Sequence, residues 1–408
     1  MEVPHSRPFP IHPGFVLIRV TPLILAVALF MEQMDSTVIA TSLPAIANDI
    51  GTEPIALKLA LTAYFVALAI FIPISGWMAD RFGAKNIFRL AIFVFMLGSL
   101  ACSFAYSLET FVGSRFFQGI GSSMMTPVGR LLLVRSTPRS RLIDAMAWLT
   151  MPALIGPLIG PPLGGFITTY FDWRWIFLIN LPIGLLGIVL AYRHIPDLRE
   201  AATPLDWRGF LLSGGGLALA MFGFATLGSR QLDTGALAAL ALLAGAACLY
   251  GYVRHARVHP HPLLDLGLFR VPTFRAGVLG GMLFRVGVGA TPFLLPLMLQ
   301  LGFGLNPFQS GAITFVSAIG AIMSKFIAER IFARFGFPRV LGFAAVFGGL
   351  LIAAQGLFTT ETPVAVMMII LVAGGVLRSI FFTGTNAIGT AMAERRAIEV
   401  HGAEHFFE

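Results

Sequence analysis

Three ionisable side chains stand where charge is costly. Glu32 and Asp35 fall inside the apolar stretch 20–43, and Arg115 falls inside the stretch 108–129. An ionisable group within a membrane span marks a proton or substrate pathway by default, because its charge is expensive to bury. Counted back from Pro44, Asp35 lies about 13 Å below one end of its helix, and Arg115 lies about 10 Å from Leu108, at about 1.5 Å rise per residue. The two helices run in opposite directions, so the residues share a depth. A nearby guanidinium favours the charged carboxylate and desolvation favours the neutral one, so protonation of Asp35 depends on conformation. Such a group can trade a proton for a substrate; a static ion pair that orders the bundle is the competing reading.

Glu32 precedes Asp35 by three residues and shares its helical face. It reads as a second proton site or a substrate contact, or else as a group turned toward a neighbouring helix. Gln118, one turn from Arg115, is a substrate contact or an interhelical tie. Arg285 and Arg378 are two further deep cations, which line a substrate cavity or reach the headgroups. Three arginines against two carboxylates favour anionic or zwitterionic compounds. Most of the 37 phenylalanines and 16 methionines are packing or lipid-facing residues, though they can also make an adaptable apolar pocket.

The elements that position these residues are membrane spans. The 408 residues are 57% hydrophobic and 12% charged, with a mean hydropathy of +0.83, whereas soluble domains carry about 25% charged residues. Long apolar runs, rather than the roughly 10-residue alternation of a barrel strand, predict an all-α bundle. Windows near 20–43, 55–76, 87–106, 108–129, 144–170, 175–192, 209–228, 235–253, 276–301, 309–328, 339–358 and 363–388 give about twelve spans. The net charge of +8 reflects topology rather than a nucleic-acid partner. Arginines and lysines crowd the even-numbered connections, such as Arg81, Lys85 and Arg89, or Arg330, Arg334 and Arg339, while the odd ones hold only Lys58, Arg174 and Arg230. That bias places both termini in the cytoplasm.

Enzymatic chemistry finds no support. No catalytic triad or metal-ligand cluster falls inside the spans, and His255, His259 and His261 sit beside prolines in a basic linker. Cys102 and Cys248 lie in predicted spans and make no cluster. There is no P-loop, so no cofactor is expected and the energy for any pumping must come from an ion gradient or a partner. The first ten residues lack a cleavable signal pattern, and the first span is expected to remain.

The fifth span contains Gly156-Pro157-Leu-Ile-Gly160-Pro161-Pro162-Leu-Gly164-Gly165. In lipid this run must be helical. Gly156, Gly160 and Gly164 make a smooth stripe for close helix approach, and the prolines weaken the helix's own ladder. A second small-residue contact is expected at Gly119 and Ser123. The organisation predicted is a six-span bundle over 1–192, a linker with two extra spans over 193–275, a four-span partial bundle over 276–388, and a polar tail over 389–408. Arg81-Phe-Gly83 after span two and Arg334-Phe-Gly336 after span ten echo each other, as equivalent turns in two repeats would.

These residues also resemble a known family. Gly76-Trp-Met-Ala-Asp80-Arg81-Phe-Gly83-Ala-Lys85 is similar to the loop signature of the major facilitator superfamily, and Arg115-Phe-Phe-Gln118-Gly119-Ile-Gly121 to its fourth-helix signature. The Gly156–Gly165 run resembles its fifth-helix antiporter signature. Asp35 to Pro44 and Trp173-Arg174-Trp175 to Pro182 narrow the resemblance to fourteen-span drug:proton antiporters of the EmrB/QacA type. The resemblance implies a major facilitator fold and proton-coupled efflux of drugs or other amphipathic compounds across a bacterial inner membrane. Asp80 and Arg81 would then belong to a gating loop, although Asp80 could also cap the following helix. A periplasmic adaptor is a partner that the resemblance allows. Ala84 replaces the first basic residue of the loop signature, which implies weaker gating contacts. Twelve spans instead of fourteen suggest a chain shortened at its C-terminus, with a natural variant as the competing reading. The competing functions are a proton symporter or facilitator for a nutrient, and a non-transporting membrane protein.

Overall fold

The computed structural model describes residues 13–138, 141–196, 204–227, 234–260, 262–264 and 266–404. Among them are twelve helices of 15 residues or more: α1 Pro13–Val38, α2 Lys58–Phe82, α3 Ala84–Ser103, α4 Leu108–Ser136, α5 Leu142–Tyr170, α6 Asn180–His194, α7 Trp207–Thr226, α8 Thr234–Ala256, α9 Pro272–Leu297, α10 Pro307–Phe335, α11 Phe337–Gln355 and α12 Val364–Glu404. No strand occurs among the described residues. Among the described residues ten helical segments are long and apolar enough to cross a membrane, and α4 is not one of them. The helices turn large apolar side chains outward. Phe326, Leu243 and Leu240 are 76%, 70% and 65% exposed. Helices with outward apolar faces and internally satisfied backbones are what a bilayer selects.

Local chemistry sets the helix ends. Ser107 and Thr110 form a capping box at the start of α4, and Asn306 with Gln309 forms another at α10, followed by Pro307 at the first turn. Single glycines join α2 to α3 and α10 to α11. Gly83 has φ +90° and Gly336 has φ +77°, a region that side chains with a Cβ avoid. The two Arg-Phe-Gly echoes thus fold into the same kind of turn. α1 ends earlier than the apolar window suggests. After Val38 the chain makes a 3₁₀ turn, Ile39–Thr41, and a short helix, Leu43–Asp49, opened by Pro44. Thr41 and Ser42 hydroxyls donate back to the Val38 carbonyl at 3.3 and 3.5 Å.

The chain divides into two compact units, and the division runs through α1 after Gln33, α5 after Gly156 and α8 after Leu249. In the first unit α4 packs most extensively on α2 and α3, α6 lies on α3, and α7 lies on α2. Its core includes Leu25, Met31, Phe88, Phe95, Val128 and Leu132. A methyl added to Gly121 would come within 2.4 Å of the Phe95 nitrogen, which shows how closely α3 and α4 approach. Gly119 meets the Tyr64 carbonyl of α2 in the same way, so this small-residue site is a packing contact. In the second unit α12 packs on α10 and α11. Its two apolar clusters centre on Leu299 with Leu371 and on Phe332 with Phe381. α12 runs on to Glu404.

Candidate functional site

The first unit holds a buried polar network around Arg115, whose side chain is 1% exposed. Its guanidinium donates to Gln118 Oε1, and its Cζ lies 4.3 Å from the centre of the Tyr64 ring. A cation over a tyrosine face gains about 2 kcal/mol when water is excluded. Gln118 donates to Ser99 Oγ at 2.8 Å, and the Asn180 amide donates to the same oxygen at 3.2 Å. The Tyr64 and Ser122 hydroxyls are 2.6 Å apart. Four helices, α2, α3, α4 and α6, therefore meet through polar groups. Gln118 is fully buried and committed to α3 and to Arg115, which is the geometry of an interhelical tie. Gln118→Leu removes the acceptor of the Arg115 guanidinium and the donor to Ser99 Oγ, a change that costs about 1–3 kcal/mol. The expected outcome is a lowered melting temperature of the purified protein in detergent; unchanged melting would show that the tie carries no stability.

Glu32 also belongs to this unit. It is 7% exposed, and the Thr126 hydroxyl of α4 donates to its Oε2 at 2.7 Å. Its carboxylate is thus turned to α4. Asp35, fully buried, falls in the segment of α1 assigned to the second unit, three residues before the end of the regular helix.

In the second unit the end of α1 is held by α5. A methyl on Gly160 would come within 2.0 Å of the Thr37 hydroxyl, and one on Gly164 within 2.3 Å of the Val38 carbonyl. Thr41 donates to the Pro161 carbonyl at 3.3 Å, and the Ser42 and Thr168 hydroxyls are 2.6 Å apart. Gly165 and Pro161 close onto the start of α10: added methyls at Gly165 and Gly311 would lie 2.3 Å from the carbonyls of Pro307 and Pro161. α9 joins the same cluster. It is followed by a π-helical turn, Met298–Gly302, from which Gln300 donates to the Thr41 carbonyl at 2.9 Å. Beyond the break, Asp49 accepts from the Trp173 indole at 3.2 Å and from Arg174 at 2.7 Å. The glycine run is therefore a close-packing surface for two helices. Gly156 is buried on the same helix, which runs unbroken through Pro157.

The loop residues after α2 keep their polar ends at the edge of the first unit. Gly76 has open space around it. Asp80 pairs with Arg135 of α4 at 2.7 Å, Arg81 is exposed, and Lys85 lies 5.6 Å over the Tyr192 ring beside Arg89 at 4.9 Å. Asp80 is not a helix cap: the N-cap of α3 is Gly83, with no side-chain cap.

The two deep cations of the second unit separate. Arg285 is exposed, with its guanidinium 5.3 Å from the Phe382 ring. Arg378 is half-buried and lines a small pocket among α9, α10, α11 and α12, whose apolar wall includes Phe284, Val288, Ile352 and Leu371. Sequence reasoning missed Tyr64, Ser99, Thr126 and Gln300 as partners. A tyrosine among only six in the chain, set inside an apolar span, was the available signal for Tyr64; the hydroxyls carried none.

Comparison with known proteins agrees with this architecture. The model of the Major Facilitator Superfamily matches residues 25–398. A protein of Salmonella heidelberg named multidrug resistance protein MdtD is 39% identical over 321 residues, 78% of this chain and 67% of that protein. The protein of the same name from Pectobacterium atrosepticum is 38% identical over 366 residues, 90% and 78% of the two chains. Among solved structures, a POT family transporter in complex with 5-aminolevulinic acid superimposes with a TM-score of 0.65 at 16% identity, covering 93% of this chain and 84% of that one. A D-xylose-proton symporter does so with a TM-score of 0.60 at 15% identity, covering 92% and 86%; at such identities the likeness concerns the fold alone. With twelve long helices, outward apolar faces and a family match over nearly its whole length, the chain belongs to the major facilitator superfamily and is a multi-pass membrane transporter.

Proposed function

We propose that this transporter exports small amphipathic compounds across the bacterial cytoplasmic membrane in exchange for protons, as a member of the fourteen-span drug:proton antiporters, with both termini cytoplasmic. The names of its relatives at 38–39% identity support the substrate class. The observation that carries the exchange reading is the fully buried carboxylate of Asp35 on the segment of α1 that Gly160 and Gly164 of α5 grip. A proton on that carboxylate removes a costly buried charge, and α1 can change its grip only if the α5 contact changes with it. Arg115 and Glu32 are the further coupling groups in this proposal, and Asp80, Arg81 and Lys85 the gating loop.

Proteoliposomes loaded with the pH dye pyranine test it. A panel of ethidium, rhodamine 6G and deoxycholate is added outside under an imposed inside-acid gradient. The expected result is accelerated proton exit with at least one compound, which accumulates inside as protons leave. Proton movement in the same direction as the compound would replace antiport by symport, and no proton movement with any compound in the panel would count against proton-coupled export.

A further inference from the structure

The pocket in the second unit has an unusual balance. Among the described residues its lining holds one cation, Arg378, and no carboxylate. Counted from Val364, Arg378 lies about 21 Å along α12 at about 1.5 Å per residue, well inside a hydrocarbon layer about 30 Å thick. Its guanidinium has no hydrogen-bond or ion-pair partner among the described residues, unlike Arg115, Arg135 and Arg174. A guanidinium left so deep without a counter-charge is costly, and the cost persists in a functional protein when a ligand supplies the missing anion.

The other polar groups around it decide what anion. The Thr291 hydroxyl already donates to the Gly287 carbonyl at 3.4 Å, and the Ser317 hydroxyl to the Thr314 carbonyl at 2.9 Å. Gln355 gives one N–H to the Leu351 carbonyl at 3.4 Å. The donors left are the five guanidinium N–H groups of Arg378 and the second N–H of Gln355. That set satisfies one carboxylate, in the two-pronged geometry that arginine favours. A second negative charge would find no second cation in the described lining.

We infer that this pocket binds the single anionic head of an amphipathic monoanion, a carboxylate on an apolar body, through Arg378. The inference rests on the transport reading and narrows its substrate class, yet its test needs neither a gradient nor turnover. The probe is 11-(dansylamino)undecanoic acid, titrated by fluorescence against the purified protein in phosphatidylcholine nanodiscs, beside its neutral methyl ester.

The acid is expected to bind at least tenfold more tightly than the ester. Arg378→Gln should weaken the acid by about 10- to 100-fold, the loss of a charged hydrogen-bonded pair, and leave the ester unchanged. Equal affinity of acid and ester for the unaltered protein would overturn the proposal whether or not the variant folds, as would equal weakening of both by Arg378→Gln. Gly374→Val narrows the pocket from a position whose added Cβ meets only Leu351 at 3.9 Å, and it should weaken acid and ester together. Unchanged binding in Gly374→Val would place the probe elsewhere. In nanodiscs containing phosphatidylglycerol, persistence of acid binding supports a solute as the occupant; its displacement would assign the site to a lipid headgroup instead.

Discussion

Asp35→Asn abolishes pH-driven flux and leaves gradient-free exchange of substrate intact. Asparagine keeps the size of the buried side chain and can still form hydrogen bonds, but it takes up no proton in the working pH range. The side chain is fully buried in the unaltered protein, so removing its charge does not expose a cavity, and the melting temperature should stay within a few degrees. Flux under an imposed pH gradient, compared with counterflow at equal pH on the two sides, separates coupling from folding. Undiminished gradient-driven flux in Asp35→Asn would end the coupling assignment. Glu32→Gln is the informative companion, because a glutamine oxygen can still accept the Thr126 hydroxyl now bound at 2.7 Å. If Glu32→Gln lost coupling as completely and Asp35→Asn did not, the proton would belong to Glu32.

Gly164→Ala is the second large effect. The added carbon would lie 2.3 Å from the Val38 carbonyl and 2.8 Å from the Thr41 hydroxyl. Neither neighbour can rotate away, since one is backbone and the other is held by the Val38 and Pro161 carbonyls. Overpacking of this kind costs about 1–3 kcal/mol. A clear fall in melting temperature and in transport rate is expected. Gly113→Ala provides the contrast, because nothing lies within 4 Å of its added carbon and an alanine in a helix is worth about 0.5–1 kcal/mol over glycine. Equal melting of the two variants would show that α1 and α5 do not meet this way in the membrane.

The contrast between these glycines also shows what the sequence could convey. The spacing of Gly156, Gly160 and Gly164 announced a surface for close approach, because a stripe at every fourth position follows from helix geometry alone. It could not name the partners, since α1 and α10 reach that surface only through the tertiary fold. Arg115 and Gln118 were legible as a pair from their three-residue spacing, whereas Ser99 and Asn180 joined them from other helices. The early end of α1 stayed hidden because Thr41 and Ser42 sit in a stretch apolar enough to continue; their hydroxyls, bonded back to Val38, compete with the helix ladder. Helix α4 shows the opposite effect. Hydropathy alone underrates it, because Arg115, Gln118, Ser122 and Ser123 lower its apolar content while being buried against other helices.

The two glycine turns set a mechanical condition on transport. With a single residue between Phe82 and Ala84, and again between Phe335 and Phe337, the joined helix ends are leashed by two virtual bonds of about 3.8 Å each. Helix α2 cannot slide along α3 by a turn, nor α10 along α11, without unwinding one of them. Each pair must therefore swing as a hinged plate, and any sliding that a transport cycle demands has to be taken up at other joints.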